Sequence, residues 1–446
     1  MTTANNFVIE KNVLKKYVGK DDRVIIPDTV SVIGPCAFAD KAFIKSVTLP
    51  HGVCEIGEQA FRGCTELEHA ELPDTLTKIG DSAFIECRSL RDVSLPDGLT
   101  EILPCAFEGC ASLTSVTVPQ KVTSIEYGVF CKCDSLLSVT LHDGIRLLDE
   151  NSFSECRSLK SFTVPSAVTE IGEFAFDGCS SLESVILPEG LRTVESCAFK
   201  NCVSLKEISL PESLTAVRDL AFLNCDSLGA LRIGAETGVS THSFFNCPAL
   251  ADENGFVIVN GYLYQYFGNA EDIVIPGGVS RVGTCSFKGN ASIRSVTVPD
   301  YVCHLDGMAF EDCTALSSVS LPEGDVFMGP CLFRGCRSMA DNDGFVIVRD
   351  NLYDYFGDAE DVQIPAGVRM ISPLAFTNKT HIKSVKVPAG VSFISHNAFD
   401  GCPSLTTVEL SEPAPEVHTY AFASCPSLNG ITVGSRETGS SDGDRG

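Results

Sequence analysis

Cysteine is the residue type that could carry the most chemistry in this chain, because a thiolate is both a nucleophile and a metal ligand. The sequence has 21 cysteines among 446 residues. Cys131-Lys132-Cys133 is the one pair with the close spacing of half a zinc site, whereas zinc prefers two such pairs or added histidines. No second cluster is assigned to this pair, so we expect no metal there.

Histidines and short sequence motifs point to no other reactive site. The eight histidines are scattered over loop and surface positions, and His69, near Glu68 and Glu71, is the only one that we single out. No G-x-S-x-G, P-loop or G-x-G-x-x-G phrase occurs. Asp341-x-Asp343-Gly344 has the opening of a calcium loop but lacks the bidentate glutamate. We therefore predict no catalytic residue, no cofactor and no metal, and we expect no enzyme.

The elements that position these residues follow from a repeat. Phenylalanine returns every 23 residues at nine successive positions: Phe38, Phe61, Phe84, Phe107, Phe130, Phe153, Phe176, Phe199 and Phe222. Self-similarity at a fixed period of about 20 to 50 residues is typical of repeat architectures. A single turn cannot bury its own apolar side chains, so adjacent turns must pack together. The sequence thus predicts a solenoid with 23-residue turns.

The cysteines occupy fixed positions of this repeat. Thirteen lie three residues after the repeat phenylalanine or its equivalent: Cys64, Cys87, Cys110, Cys133, Cys156, Cys179, Cys202, Cys225, Cys247, Cys313, Cys336, Cys402 and Cys425. Five lie two residues before it: Cys36, Cys105, Cys197, Cys285 and Cys331. A free cysteine packs as a small hydrophobe, and neighbours that point the same way do not suit a disulfide. We therefore expect mostly reduced packing residues.

Each copy of the repeat also predicts its local structure. The phrase SVTLP, from Ser46 to Pro50, alternates polar and apolar residues and is rich in β-branched side chains. This pattern predicts a short half-buried strand with Val47 and Leu49 directed inward, and the proline ends its hydrogen-bond ladder. A second extended piece is expected from Leu76 to Ile79, followed by a helical or 3₁₀ turn from Asp81 to Phe84. Successive strands should stack in parallel.

A second kind of module interrupts the repeat. Three similar segments start at Asn5, Asn254 and Asp343. In each, an FVI phrase is followed by VxIP, with isoleucine in place of the valine in the second. Apolar runs around Asn260-Gly261 predict a β-hairpin, and we expect three β-hairpin modules. The predicted domains are a hairpin cap at 1–30, a first repeat array at 31–250, a hairpin plus second array at 251–340, a hairpin plus third array at 341–434, and a disordered tail at 435–446.

The repeat unit and the hairpin module together resemble a known family. The unit C-x-S-L-x-x-V-x-L-P-x-x-V-x-x-I-x-x-x-A-F and the FVI…YFG…VxIP module are similar to those of the BspA-type leucine-rich repeat family of bacterial and some protist proteins, over residues 5–434. The resemblance implies a curved superhelical leucine-rich repeat solenoid, with short parallel strands on the concave side and loops or helical turns outside. It also implies a role in protein binding or adhesion, often at a cell surface.

The outward positions of the strands are the candidate contact surface, because the concave face of a curved solenoid is its usual binding surface. These positions are mostly serine and threonine. The charged exceptions that we single out as candidate contacts are His69, Glu71, Asp92 and Arg232. The hairpins concentrate tyrosines that we expect to be exposed anchors: Tyr262, Tyr264, Tyr266, Tyr353 and Tyr355. These tyrosines either cover the joint between arrays or form a protein contact.

Charge and composition limit the possible partners. The formal net charge is −25 and the isoelectric point is near 4.6, which disfavours nucleic acid and anionic membranes. No apolar run is long enough for membrane insertion. We expect protein partners, basic rather than acidic, for a non-enzymatic scaffold in protein–protein interaction or adhesion; the alternative is a structural, self-associating repeat spacer. The first residues lack a signal-peptide pattern, so a cytoplasmic location is expected, and the resemblance offers the cell surface or secretion instead.

Overall fold

The computed structural model describes residues 6–434. The chain divides into two compact units, Met1–Asp252 and Glu253–Gly446. The predicted tail at 435–446 lies outside the described residues. The predicted boundaries after residues 30, 250 and 340 stay predictions.

The described part of the first unit is built from very short strands, most of two or three residues. In chain order they are β1 Phe7–Glu10, β2 Val13–Tyr17, β3 Arg23–Ile25, β4 Val32–Ile33, β5 Ser46–Thr48, β6 Glu55–Ile56, β7 His69–Glu71, β8 Lys78–Ile79, β9 Asp92–Val93, β10 Glu101–Ile102, β11 Ser115–Thr117, β12 Ser124–Ile125, β13 Ser138–Thr140, β14 Leu147–Leu148, β15 Ser161–Thr163, β16 Glu170–Ile171, β17 Ser184–Ile186, β18 Thr193–Val194, β19 Glu207–Ser209, β20 Ala216–Val217, β21 Ala230–Arg232 and β22 Gly238–Val239.

The second unit continues the same pattern. Its strands are β23 Phe256–Val259, β24 Tyr262–Tyr266, β25 Asp272–Val274, β26 Arg281–Val282, β27 Ser295–Thr297, β28 His304–Leu305, β29 Ser318–Ser320, β30 Phe327–Met328, β31 Phe345–Val348, β32 Asn351–Tyr355, β33 Asp361–Gln363, β34 Met370–Ile371, β35 Ser384–Val387, β36 Phe393–Ile394, β37 Thr407–Leu410, β38 Glu416–Val417 and β39 Ile431–Val433.

Two rows of parallel strands run along each unit. The strands of the Ser-Val-Thr type form a row that we call the front row. It comprises the odd-numbered strands from β3 to β21, then β25, β27 and β29, and then the odd-numbered strands from β33 to β39. The remaining strands outside the hairpins form the back row. Neighbours in a row are one repeat apart and in register, as Ser115 is opposite Ser138 in front and Lys78 is opposite Glu101 behind. The predicted leucine-rich repeat solenoid of parallel strands is therefore confirmed.

The three predicted hairpins are present as β1–β2, β23–β24 and β31–β32, each antiparallel. The second strand of each hairpin pairs in parallel with the first back-row strand that follows, as Leu352 does with Ile371. Asn260 and Gly261 have φ of 48° and 75°, as a two-residue hairpin turn with two positive φ values requires. Each hairpin therefore adds two strands to the back row and none to the front row.

Stacked phenylalanine rings form the core, as one continuous column in the first unit and as two stacks in the second. From Phe38 to Phe244, successive rings stack with centroids 4.8 to 5.8 Å apart and planes within 15° of parallel. Phe287 and Phe376 begin similar stacks in the second unit. These rings are almost fully buried. Because each ring contacts the one before and the one after, every turn depends on both neighbours for its apolar core.

The cysteines that follow the phenylalanines do more than fill space. In all thirteen, Sγ donates a hydrogen bond to the backbone carbonyl of the phenylalanine one turn earlier, at 3.0 to 3.4 Å. We call this set the cysteine ladder. Burial raises the pKa of the Cys64 thiol to about 12, so the donor proton is retained at neutral pH. The sequence analysis predicted the packing role and missed the hydrogen bond.

The outer turns differ from the helical or 3₁₀ turn predicted from Asp81 to Phe84. Ala83 donates to the carbonyl of Gly80 and Ile85 to that of Ser82, but Ser82 has φ of 53°. A left-handed residue breaks a helical run, so the segment is a chain of separate turns. Within residues 6–434, Pro248–Leu250 and Arg337–Met339 form short 3₁₀ helices.

The five cysteines that precede a phenylalanine occupy this left-handed position and are not uniformly buried. Cys36 has φ of 54° and is exposed, Cys105 and Cys285 are half-buried, and Cys197 and Cys331 are buried. They are separate from the cysteine ladder. The expectation that the cysteines are mostly packing residues therefore fits the cysteine ladder, but it does not hold for exposed Cys36 and holds only in part for half-buried Cys105 and Cys285.

We predict that thiol labelling separates these classes. Cys36, Cys54 and Cys303 are exposed, three more cysteines are half-buried and the other fifteen are buried. Ellman's reagent at neutral pH should therefore modify Cys36, Cys54 and Cys303 first in the native protein, and all 21 in urea without reductant. Since the reactive species is the thiolate and burial raises the pKa of the Cys64 and Cys313 thiols, rapid native labelling of these buried ladder cysteines would contradict the fold described above.

Candidate protein-binding surfaces

The front row presents one side of its strands to solvent. In β11, Ser115 and Thr117 are exposed while Val116 is buried, and β15 has the same pattern. Over long stretches this exposed side, which we call the front face, carries only small hydroxyl side chains. Any chemically distinct position on it therefore stands out against a uniform background.

One depression of about 400 Å³ lies on the front face of the first unit between β9 and β11, and Asp92, Ser94, Asp97 and Thr117 are among the residues that line it. The adjoining strand β7 places His69 directly opposite Asp92. The structure thus brings together three of the predicted contact residues, since Glu71 is on the same strand. Glu71 accepts a hydrogen bond from Thr48 at 3.2 Å, and this end of the face is acidic.

A second depression of about 320 Å³ lies on the front face across β17, β19 and β21, and its lining includes Ile186, Glu207 and the predicted contact residue Arg232. Ile186 is 65% exposed, at a position where most turns have threonine or serine. The sequence analysis included neither Ile186 nor Glu207 among the site residues. The signal that could have found the isoleucine is its departure from the hydroxyl column.

Two tyrosines of the last hairpin are buried, which corrects the expectation that they are exposed anchors. Tyr353 and Tyr355 are at most 1% exposed. The Tyr353 ring packs edge-on against Phe333 at 5.3 Å, and the Tyr355 ring lies 5.2 Å from Phe376. One ring therefore packs on the preceding turn and the other on the following turn. The alternative reading, that the tyrosines cover a joint, describes both.

The tyrosines of the middle hairpin are also largely withdrawn from solvent. Tyr264 and Tyr266 are buried, and Tyr266 accepts a hydrogen bond from the Ala270 amide at 3.1 Å. Tyr262 is half-buried, and its hydroxyl donates to Asp306 at 3.1 Å. Arg281 binds the same carboxylate at 2.9 Å. These three tyrosines are therefore not exposed contact anchors.

A buried carboxylate holds the hairpin strand β32 to the preceding turn. Asp354 is 7% exposed and accepts hydrogen bonds from the backbone amides of Gly335 at 2.9 Å and Tyr355 at 2.7 Å. Lys379 lies 3.6 Å away. Burial raises the pKa of this carboxyl above its ordinary value, although the two amide bonds and the lysine oppose that shift. The carboxylate serves to join two elements of the unit.

A second buried carboxylate lies on the outer turns of the second unit. Glu311 has a side chain only 3% exposed, and its oxygens lie 2.6 Å from Nζ of Lys288 and 3.1 Å from a guanidinium nitrogen of Arg334. Each of these residues directly follows a phenylalanine of the core column, so they stack one above another. Glu311 is thus held between a cation from the turn before and one from the turn after.

Neither a metal site nor a membrane-spanning helix is found in the part of the chain that the structure describes. Among residues 6–434, no three His, Cys, Asp or Glu side chains are grouped so as to hold a metal ion. The same residues include no helix long and apolar enough to cross a bilayer. The expectation of a protein without metal or cofactor stays a prediction.

The two strand rows, the phenylalanine column and the cysteine ladder define a solenoid of the leucine-rich repeat class. The sequence matches the family described as BspA type leucine rich repeat region, in six copies, over residues 9–137, 123–251, 257–343 and 346–441. These segments cover most of the sequence. The chain therefore belongs to the BspA-type leucine-rich repeat family, and the resemblance identified from the motifs is confirmed.

Three solved structures of leucine-rich repeat proteins are similar to this chain to different degrees. A leucine-rich repeat protein from Bacteroides ovatus ATCC 8483 is 24% identical, with a TM-score of 0.52 over 98% of this chain and 97% of that chain, a likeness that shows the fold. A leucine rich cell surface protein from Faecalibacterium prausnitzii A2-165 is 23% identical, with a TM-score of 0.34 over 98% and 93%. The T. pallidum leucine rich repeat protein is 28% identical, with a TM-score of 0.36 over 46% and 90%. No protein with a curated function matches the sequence.

Proposed function

We propose that this protein is a non-enzymatic leucine-rich repeat scaffold that binds another protein through the front face of its first unit, in protein–protein interaction or adhesion. The observation that carries this proposal is the exposed Ile186 beside Glu207 and Arg232 in one depression of the front face. Arginine is among the residues enriched at binding hot spots, which lie in well-packed and desolvated pockets, and burial of the exposed Ile186 would add apolar area. The surrounding hydroxyl side chains supply a neutral rim.

The partner that fits this face is basic. At the exposed positions of the first unit's front row, three acidic residues, Glu71, Asp92 and Glu207, outnumber the two arginines, Arg23 and Arg232. The whole chain has a net charge of −25. Complementary charge speeds the encounter of two proteins and excludes wrong partners. We therefore expect binding that weakens as the salt concentration rises.

A photo-cross-linking residue at position 186 tests the proposal. In cell extract it should capture a discrete protein that is absent when the same residue replaces Thr140, which is an equivalent exposed position on β13. Arg232→Ser should lower the yield at position 186 several-fold, because the guanidinium lies in the same depression. Equal capture at positions 186 and 140, or capture unaffected by Arg232→Ser, would show that the depression is not the contact.

The second candidate function is a structural spacer that associates with copies of itself. Strands such as β33 have one unpaired edge among the described residues, and unpaired edges invite pairing with another chain. Sedimentation velocity over a wide concentration range separates the two functions. A concentration-independent monomer argues for the scaffold, and mass that rises with concentration argues for the spacer.

A further inference from the structure

The first front-row strand after the last hairpin has an edge that no other described strand covers. Among residues 6–434, β33 pairs with β35 alone and ends its sheet. The cause is the hairpin itself, because β31 and β32 extend only the back row. The back row therefore continues past β33, whereas the front row stops there.

The unpaired backbone groups of this edge can be assigned from the ladder with β35. Ser384 donates to the carbonyl of Glu360 at 3.1 Å, and Ile364 donates to the carbonyl of Lys386 at 3.0 Å. In a parallel ladder, alternate residues bond to the same neighbour, so Glu360, Val362 and Ile364 face β35. Asp361 and Gln363 therefore direct their amide and carbonyl groups away from it, toward the open edge.

A groove of about 440 Å³ lies along this open edge. Its lining includes the buried rings of Phe345 and Tyr355 and the strand residues from 361 to 364. The two rings pack 4.8 Å apart, and the Tyr355 ring also packs on the core column. The groove is thus formed by side chains that are already fixed, so little ordering is needed before a ligand binds.

The charge of the groove is acidic. Asp343 and Asp361 are lining residues, and no lysine or arginine lines the groove. Asp361 accepts a hydrogen bond from Ser384, and neither aspartate has an ion pair among the described residues. The nearby Lys383 and Lys386 are paired with Glu360 at 2.6 Å and Glu409 at 3.0 Å.

The same edge recurs after the other hairpins with different charge. After the middle hairpin, a groove of about 470 Å³ lies along β25, with Asn254 in place of the first aspartate and the Tyr301 side chain among its lining residues. The Tyr301 hydroxyl donates to the carbonyl of Ile275 at 2.9 Å. After the first hairpin, the residue that matches Asp361 is Arg23. Of these two grooves, the one along β33 is therefore the more acidic.

We propose that the open edge of β33 and its groove bind an extended peptide rich in lysine or arginine, which adds to the front row as one more strand. Backbone groups at 361 and 363 supply the hydrogen bonds, as in other cases of strand addition. Asp343 and Asp361 select cationic side chains. A second copy of this chain would bring the same acidic edge against this one, so charge disfavours it. This site is distinct from the front face of the first unit.

The probe is a labelled, end-capped peptide KTKVKTK, titrated against the full chain by fluorescence anisotropy. The same peptide with glutamate for lysine is the charge control. The lysine peptide should bind, the glutamate peptide should not, and binding should weaken with salt. Hydrogen exchange should slow at the Asp361 and Gln363 amides when the lysine peptide is bound, because these amides gain acceptors.

Gln363→Pro is the decisive variant. Proline removes the amide that faces the groove and leaves the β33–β35 ladder bonds intact, since position 363 does not donate to β35. Binding should weaken about tenfold, as loss of one or two backbone hydrogen bonds predicts. Gln363→Ala keeps the amide and should stay within about twofold of the original chain. Urea unfolding of both variants confirms that the fold is retained.

Two further variants test selectivity and separate the sites. Asp343→Asn with Asp361→Asn should weaken the lysine peptide several-fold and reduce its salt dependence, whereas Ile186→Thr should leave peptide binding unchanged. No binding of the lysine peptide, equal binding of the glutamate peptide, or full binding by Gln363→Pro would each overturn the proposal. Self-association that Gln363→Pro abolishes, without peptide binding, would assign the edge to a second copy instead.

Discussion

Phe130→Ala should lower the free energy of unfolding of the chain by about 3 to 5 kcal/mol. The Phe130 ring is fully buried and stacks between Phe107 at 5.8 Å and Phe153 at 5.6 Å. Alanine would leave a cavity that neither neighbour can fill, because both rings are held by the turns beyond them. Urea unfolding followed by circular dichroism measures the change.

The matched control is Leu137→Ala in the same repeat. Leu137 is 54% exposed, so its truncation should change the free energy of unfolding by less than about 0.5 kcal/mol. Comparable losses for Phe130→Ala and Leu137→Ala would contradict the core column. The difference between the two variants isolates burial, since both remove a large apolar side chain from neighbouring positions.

Removal of the cations around Glu311 should be nearly as damaging. In Lys288→Met with Arg334→Met, the methionines keep much of the aliphatic packing while the carboxylate loses both partners. Glu311 is only 3% exposed on its side chain, and breaking a buried ion pair from one side costs about 3 to 5 kcal/mol. We expect a loss of that size in the free energy of unfolding, measured in urea at neutral pH.

Glu311→Gln in the double-variant background distinguishes charge from packing. Glutamine is close in shape to glutamate and carries no charge, so the triple variant should recover much of the lost stability. Glu311→Gln alone should cost less than the double variant, because it leaves only half-exposed cations unpaired. A triple variant no more stable than the double variant would show that lost contacts of the long side chains, not an isolated carboxylate, cause the effect.

The strand rows could be predicted from the sequence because their causes are local and repeated. Val47 and Leu49 alternate with polar residues, and the same alternation recurs at a fixed period. The inward direction of the Val47 side chain follows from that pattern alone. The turn at Asn260-Gly261 was likewise predictable, since positive φ at both positions is a property of the dipeptide.

The tyrosines show why the candidate site could not be predicted as well. A hairpin with alternating apolar residues is expected to have one buried face. Here the pairing of β31 with β32 skips Tyr353, so the strand is irregular at that residue, and Tyr353 packs on Phe333 while Tyr355 packs on Phe376. Alternation along one strand does not reveal such a bulge. The hydrogen bond donated by the Cys133 thiol was missed for a similar reason. Its acceptor, the Phe107 carbonyl, is identified only once the turns are stacked.

The open edge of β33 was beyond sequence reasoning for another reason. Each hairpin was predicted as a module, but its assignment to the back row depends on pairing between Leu352 and Ile371. Once that pairing is known, the unpaired front-row strand follows directly. The depression at Ile186 could be predicted only in part. The isoleucine differs from the serines and threonines at the same repeat position, but its proximity to Arg232 depends on the register of β17, β19 and β21.

The cysteine ladder has a consequence for how such a chain can change in length. Each thiol in the run from Cys64 to Cys225 reaches the phenylalanine that lies 26 residues earlier, which is one period plus three. Deletion or duplication of one whole period inside this run would return every remaining thiol to an equivalent carbonyl. A gene of this design can therefore gain or lose turns by unequal recombination without passing through an unpaired intermediate. A step of another length changes only the contacts that span it, as the 25-residue separation of Phe222 and Cys247 shows.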